Sequence, residues 1–229
     1  MKNNIKKIEK LTEKYINKKY PNGILVKEFG NIKTQTRPDY ALFLRDKIIF
    51  FELKGNSDSL TRLDRQVFLY RKIADQLVLI LDKKHNSKKA LYYNKNGAGI
   101  LFYKKKKFNK NLEFAKTDPF MVTDIINLLY ADELKIILEP FESKFGFLFN
   151  QETRIAAIKY IFTQLEIKEI AHNILYNRMR NWDNNGRPDF YGIGELSIRI
   201  NNLSCKAQMY KEFLVNFTFK KNNKNCLFS

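Results

Sequence analysis

The chain is poor in the residues from which most redox, zinc and nucleophile sites are built. It holds 2 cysteines and 2 histidines. Cys205 and Cys226 sit near the C-terminus with no paired spacing, which excludes a disulfide framework and the usual zinc patterns. His85 and His172 are isolated, so a histidine-based triad has almost no material. Long apolar runs are missing too. The candidates around Ile48–Phe51 and Leu77–Leu81 are strand-sized, far short of the roughly 20 residues that span a bilayer. The first residues, MKNNIKKIEKLTEKY, carry charge with no continuous apolar stretch behind them, which is not a secretory signal. A cytoplasmic protein is expected. Acidic residues are in deficit as well: 24 Asp and Glu against 42 Lys and Arg leave a net charge of +18. Self-repulsion of that size suits a polyanionic partner, nucleic acid first and an anionic membrane surface second. No basic face on an aromatic-rich amphipathic helix supports the membrane.

What is present is a foldable chain, 44% hydrophobic with 19 Phe and 12 Tyr. Its 229 residues leave one large domain or two small ones open. Ile5, Ile8, Leu11, Tyr15 and Ile16 recur at helical steps, which predicts a helix over 4–19 closed by Pro21-Asn22-Gly23. Strands are expected at 23–29, 39–44 and 48–53, the last two joined by an Arg45-Asp46-Lys47 turn. Leu60, Leu63, Val67, Tyr70 and Ile73 predict a second helix behind a Ser or Asp cap, and Leu77–Leu81 a buried strand. This is an α/β order, αβββαβ. The run Lys104–Lys107 marks a candidate boundary and reads as a solvated linker. Beyond it Asp118-Pro119 is a helix-start signal, and helical periodicity covers about 120–138, 152–165 and 167–181. The expected organisation is an α/β domain over 1–112 and a mostly helical one over 113–229.

Chemistry concentrates in residues 37–55, RPDYALFLRDKIIFFELKG. With the turn centred near Asp46, Asp39 falls opposite about residue 53, so Asp39 and Glu52 come within reach of one cation. Strand alternation gives Glu52 and Lys54 one face and turns Leu53 toward the core. Two carboxylates and an ammonium suit Mg²⁺ or Mn²⁺ and a phosphodiester. The chain holds five (D/E)-x-K triplets, but those at Asp82, Glu133, Glu142 and Glu166 follow no hairpin headed by Pro-Asp. The bland alternative, charges on a surface hairpin, fits poorly with the continuous apolar run Ile48–Phe51.

These residues resemble the PD-(D/E)xK nuclease superfamily, with Asp39, Glu52 and Lys54 at its three signature positions. Gln66 and Tyr70, one helical turn apart, look like the Gln-x-x-x-Tyr motif of RecB-type members. The stretch FELKGNSDSLTRLDRQVFLYRKIADQLVLILDKKH is similar to small bacterial and phage proteins assigned there, over roughly residues 20–102. The resemblance implies a restriction-endonuclease-like core followed by a helical region. It implies a Mg²⁺- or Mn²⁺-dependent deoxyribonuclease in which Asp39, Glu52 and the Leu53 carbonyl hold the metal. Lys54 would position the attacking water, and Gln66 and Tyr70 would support the site. Members often add an acidic ligand. Glu28 at a strand end is preferred over Glu9 and Glu13, which sit among lysines.

Arg37, Arg62 and Arg65 are candidate phosphate contacts. Glu152–Leu165, Ile167–Leu175 and Tyr176–Trp182 are a candidate helix-turn-helix-like cluster, with Asn177, Arg178, Arg180 and Asn181 on its last helix. A packed bundle is the alternative. A second Arg-Pro-Asp-Phe at Arg187–Phe190 lacks the following lysine and reads as a decoy. The expected partner is DNA, with RNA and a dimer left open. The rival class is a nuclease-fold nucleic-acid-binding protein without turnover, such as a phage accessory or inhibitor protein.

Overall fold

Apolar residues at three- and four-residue steps fold the N-terminal segment into helix α1 (Lys2–Lys19), which buries Ile8 and Ile16 completely. Six strands follow in chain order: β1 (Ile24–Lys27), β2 (Tyr40–Phe43), β3 (Ile48–Lys54), β4 (Gln76–Asp82), β5 (Gly99–Lys104) and β6 (Lys107–Leu112). A computed structural model describes residues 2–30, 35, 37–85, 88–105, 107–112, 124–146, 148, 150–181 and 204–214. The strands form one mixed sheet in the order β1-β2-β3-β4-β5-β6. Pairs β1/β2, β2/β3 and β5/β6 are antiparallel, while β3/β4 and β4/β5 are parallel. The parallel pairs are joined by α2 (Leu63–Arg71) and α3 (Lys88–Lys95), the crossovers that parallel neighbours require.

Alternation sorts β3 onto two cores. Ile49, Phe51 and Leu53 pack with Ile8 and Ile16 of α1, whereas Ile48 and Phe50 pack with Leu63, Val67 and Tyr70 of α2. Burial on both faces is why β3 and β4 read as unbroken apolar runs.

The second half supplies a 3-10 turn (Ile125–Leu128), α4 (Ala131–Phe145), α5 (Gln151–Ile161), α6 (Gln164–Arg180) and α7 (204–214). Thr163 and Glu166 form a reciprocal cap that starts α6. Ile126, Leu134, Phe141, Ile158 and Ile174 join the same apolar cluster as Phe43, Phe50 and Leu79 of the sheet. A polar tie runs alongside. Asp75, just ahead of β4, accepts from the Ile48 amide at 2.8 Å and is ion-paired with Lys168 of α6. His172 Nε2 lies 2.9 Å from Asp75 Oδ2 but off the line of a good hydrogen bond. Burial alone would raise the Asp75 carboxyl. The His172 and Lys168 contacts and the Ile48 amide outweigh it and hold the group below its ordinary value.

Several expectations are corrected. Lys104–Lys107 is no linker: Lys104 pairs with Lys107 across the β5/β6 hairpin. The α/β core continues past the expected αβββαβ order through α3, β5 and β6. Helix α2 starts at Leu63 behind Arg62, which makes no side-chain cap. Ser59 and Thr61 bond to each other, and Asp58 accepts from the Gly55 amide at 2.7 Å. The two segments expected to break near residue 176 form one continuous α6, since nothing between Leu175 and Tyr176 breaks a helix. Asp118-Pro119, Trp182, Arg187–Phe190 and Cys226 lie outside the described residues.

Candidate active site

The β2/β3 hairpin turns tightly, the Leu44 amide bonding to the Lys47 carbonyl at 2.9 Å. The turn centres between Arg45 and Asp46, so Tyr40 faces Phe51 and the next rung sets Asp39 against Glu52. That is one residue off the expected partner at 53. It favours the site, because directly paired residues share a face. Asp39 Oδ2 still accepts from the Leu53 amide at 2.6 Å.

Glu52 is the centre of the constellation, 3% exposed. Its Oε1 accepts from Lys54 Nζ at 2.6 Å and from Gln66 Nε2 at 2.7 Å. Its Oε2 lies 3.1 Å from the Tyr70 hydroxyl, which also stands 2.9 Å from the Arg37 carbonyl. One hydroxyl hydrogen serves only one of these acceptors at a time. Gln66 and Tyr70 reach Glu52 together because four residues make one turn of α2. The sheet thus supplies both carboxylates and the ammonium, and α2 the amide and the phenol.

Burial, and then the charge of Glu52, push the Asp39 carboxyl up to about 7, with the Leu53 amide and Lys54 acting in opposition. Burial and Glu52 also raise the Tyr70 phenol, which stays protonated at neutral pH. A raised carboxyl has a definite consequence for stability. Below about pH 3 Asp39 is neutral in both folded and unfolded chains; from about 4, where the unfolded carboxyl ionises, to about 7, where the folded one does, the folded state progressively loses stability. Asp39→Asn, which stays neutral, should therefore gain stability over wild type between pH 4 and 8 in metal-free buffer. The expected gain is about 2 kcal/mol at pH 8, discounted from the full shift because water reaches part of the carboxylate. Chemical denaturation at both pH values measures it; an equal difference at the two would refute the raised pKa.

Acceptor positions remain open on both carboxylates. A carboxylate offers about four acceptor positions; among the described residues three are used on Glu52 and one on Asp39. Gln66 Oε1 is buried with no hydrogen-bond partner, an acceptor left beside two facing carboxylates. Asp39, Glu52 and the Leu53 carbonyl are the residues that would hold Mg²⁺ or Mn²⁺. No group of three or more His, Cys, Asp or Glu side chains suited to a metal occurs among the described residues. Glu28, the preferred third ligand, follows β1 with φ of 48°. Its amide bonds the Asp39 carbonyl at 2.9 Å, but its exposed carboxylate pairs with Arg37 at 2.5 Å. Glu13 is drawn to Lys27 and the Tyr40 hydroxyl on the opposite face.

The candidate phosphate contacts divide. Arg37, Arg62 and Arg65 are exposed near the site, with Arg65 bonded to Gln35 at 2.6 Å. Arg180 is exposed at the end of α6. Arg178 is not a surface reader: it is 5% exposed, pairs with Glu133 at 3.0 Å and donates to the Leu128 carbonyl. At the α6 spacing Arg178 follows Ile174 and Leu175 on the inward stripe, which is why it points into the core. The other (D/E)-x-K triplets are spent on structure, Glu142 with Arg154 and Glu166 with Lys206.

Sequence reasoning missed His85. Its Nε2 lies 2.9 Å from the Gly55 carbonyl and, with Asp58 on the Gly55 amide, fixes the chain as it leaves Lys54. An isolated histidine thirty residues away gives no signal for such a contact.

Comparison with known proteins finds a family model described as bacteriophage P4 protein cII, matching residues 1–206. Protein cII of Enterobacteria phage P4 is 24% identical over 182 residues, 74% of this chain and 65% of that protein, so the match spans about two thirds of the relative's length. No solved structure matches. Nothing found points to the PD-(D/E)xK superfamily, and that resemblance is corrected by the phage family match. Its motif is three residues in a lysine-rich chain, enough to mark a local constellation and too short to mark descent.

Proposed function

The chain belongs to the bacteriophage P4 protein cII family, and for this member of it we propose, from the geometry of the site, a Mg²⁺- or Mn²⁺-dependent deoxyribonuclease. The carrying observation is the convergence of Glu52, Asp39 and Lys54 at one mouth of the sheet, held by Gln66 and Tyr70. The reading rests on that site and on αβββαβ as a restriction-endonuclease-like architecture, without membership of the nuclease superfamily. A divalent ion bound there supplies Lewis-acid polarisation of the phosphoryl oxygen. Gln66 and Tyr70 fix the Glu52 carboxylate, so that group stays in place as substrate arrives and only Lys54 has to move. Lys54 leaves Glu52 to orient the attacking water and to offset charge building on the phosphoryl oxygens. Arg37 and Arg65 bind flanking phosphates. A cytoplasmic site of action belongs to the same proposal; no helix among the described residues is long and apolar enough to cross a membrane.

One observation favours a second reading, nucleic-acid binding without turnover: among the described residues only two carboxylates meet, and one is engaged by Lys54. Plasmid and oligonucleotide cleavage with Mg²⁺, Mn²⁺ or EDTA separates the two. Lys54→Met should slow cleavage by about a hundredfold or more while DNA affinity changes little, because the ammonium meets charge that develops only in the transition state. No cleavage by wild type with any divalent ion rejects the enzyme and leaves the binding protein.

A further inference from the structure

The mixed sheet stacks lysines where neither composition nor motif spacing places them together. The parallel register pairs Lys54 with Leu81 and Asp82 with Tyr103, and Lys83, the first residue of the 3-10 turn that follows β4, comes close enough to Lys104 for the two ammoniums to interact. Lys104 is itself paired with Lys107 on β6. Lys83, Lys104 and Lys107 are thereby gathered at the ends of three adjacent strands, which lie about 4.8 Å apart. Like charges set opposite one another weaken a sheet. Among the described residues none of the ion pairs reaches Lys83, Lys84, Lys104, Lys105 or Lys107. The close approach of Lys104 holds the Lys83 ammonium below its ordinary value. The fold keeps this repulsion at a surface, where an anion can relieve it.

The row lies at the carboxyl ends of β4 and β5, the same mouth that carries Glu52 and Lys54 on β3. His85 ties the turn bearing Lys83 and Lys84 to the chain just past Lys54 through the Gly55 carbonyl. Ligands of open α/β sheets bind outside these strand ends. We propose that Lys83, Lys104 and Lys107 form a phosphate track that carries a nucleic-acid strand away from the candidate site across β4, β5 and β6. The identity of the polyanion rests on the functional reading above. A membrane surface fits less well: the large exposed hydrophobic residues Phe68, Leu91, Tyr92, Tyr130, Tyr160 and Leu165 all lie outside the row, and lasting attachment to lipid needs apolar insertion besides charge. A nucleic-acid strand presents a charge every few ångström, which a row of ammoniums matches.

The test measures duplex and single-stranded DNA binding in EDTA, where no turnover intervenes, as a function of salt. The triple variant Lys83→Gln/Lys104→Gln/Lys107→Gln should bind at least tenfold more weakly at low salt, and its log-log salt slope should fall by about 2 to 3. A control of equal charge change on α1, Lys7→Gln/Lys10→Gln/Lys14→Gln, should lose less than half as much. The matching Lys→Arg triple should bind as wild type, and thermal unfolding should show the Gln triple at least as stable as wild type. Equal loss in the two Gln triples would overturn the track. So would a row-dependent attachment to phosphatidylserine vesicles with DNA binding unchanged. The outcomes separate from those of the site: row-dependent binding without cleavage rejects the nuclease and keeps the track, while cleavage with binding indifferent to the row does the reverse.

Discussion

Asp39→Asn and Glu52→Gln should each abolish divalent-dependent DNA cleavage, a loss of about a thousandfold or more, since each removes a charged oxygen donor worth several kcal/mol in the transition state. Neither substitution creates a cavity. The Asp39→Asn change keeps a side-chain oxygen to accept from the Leu53 amide, which lies 2.6 Å from Asp39 Oδ2 in the wild type. Glu52→Gln leaves the Lys54 ammonium, 13% exposed as a side chain, without its carboxylate, so this variant should lose stability where Asp39→Asn gains it. DNA affinity in EDTA should hold or rise in both, because a negative charge leaves the binding surface. Cleavage and binding measured side by side give the answer, with thermal unfolding as the check on folding. Cleavage at the wild-type rate in either variant removes Asp39 and Glu52 from the chemistry.

Arg178→Met should cost about 3 to 5 kcal/mol of stability at neutral pH, the range for breaking one side of a buried ion pair. Arg178 is held by Glu133 at 3.0 Å and by the Leu128 carbonyl, and its guanidinium lies 4.3 Å over the Tyr130 ring. Glu133 is fully buried. Burial raises its carboxyl, and the Arg178 charge is what opposes that rise; without the arginine the carboxylate must take up a proton or stay uncompensated. The loss should therefore shrink toward acid pH. Arg178→Met/Glu133→Leu should recover much of it, since removing both charges removes the desolvation cost along with the attraction. Guanidinium denaturation of the single and double variants measures the coupling. A single variant as stable as wild type would return Arg178 to the surface and to the list of candidate DNA contacts.

The legible part of the site was the part written locally. Asp39, Glu52 and Lys54 lie on one hairpin, where alternation and turn position alone bring them to one face. Gln66 and Tyr70 were legible for the same reason, a single helical step. The error of one residue in the hairpin register came from the turn, because periodicity gives strand identity and leaves the turn centre open between Asp46 and its neighbour. Arg178 and Arg180 look alike in sequence; only packing puts the first against Glu133 and the second in water.

By itself the sequence determined the alternation of helix and strand through β4, the strongly basic balance, and a carboxylate pair with a lysine on one face of a hairpin. Short-range periodicity and net charge need no knowledge of distant neighbours. Tertiary structure alone decided how strands far apart in the chain pair. It turned the lysine run of a supposed linker into the outer rung of a row with Lys83, set His85 on the Gly55 carbonyl, and seated α6 on the sheet through Asp75. The physical reason is that parallel pairing and helix docking are fixed by side-chain packing across the whole core, where each contact joins residues that carry no local mark of one another.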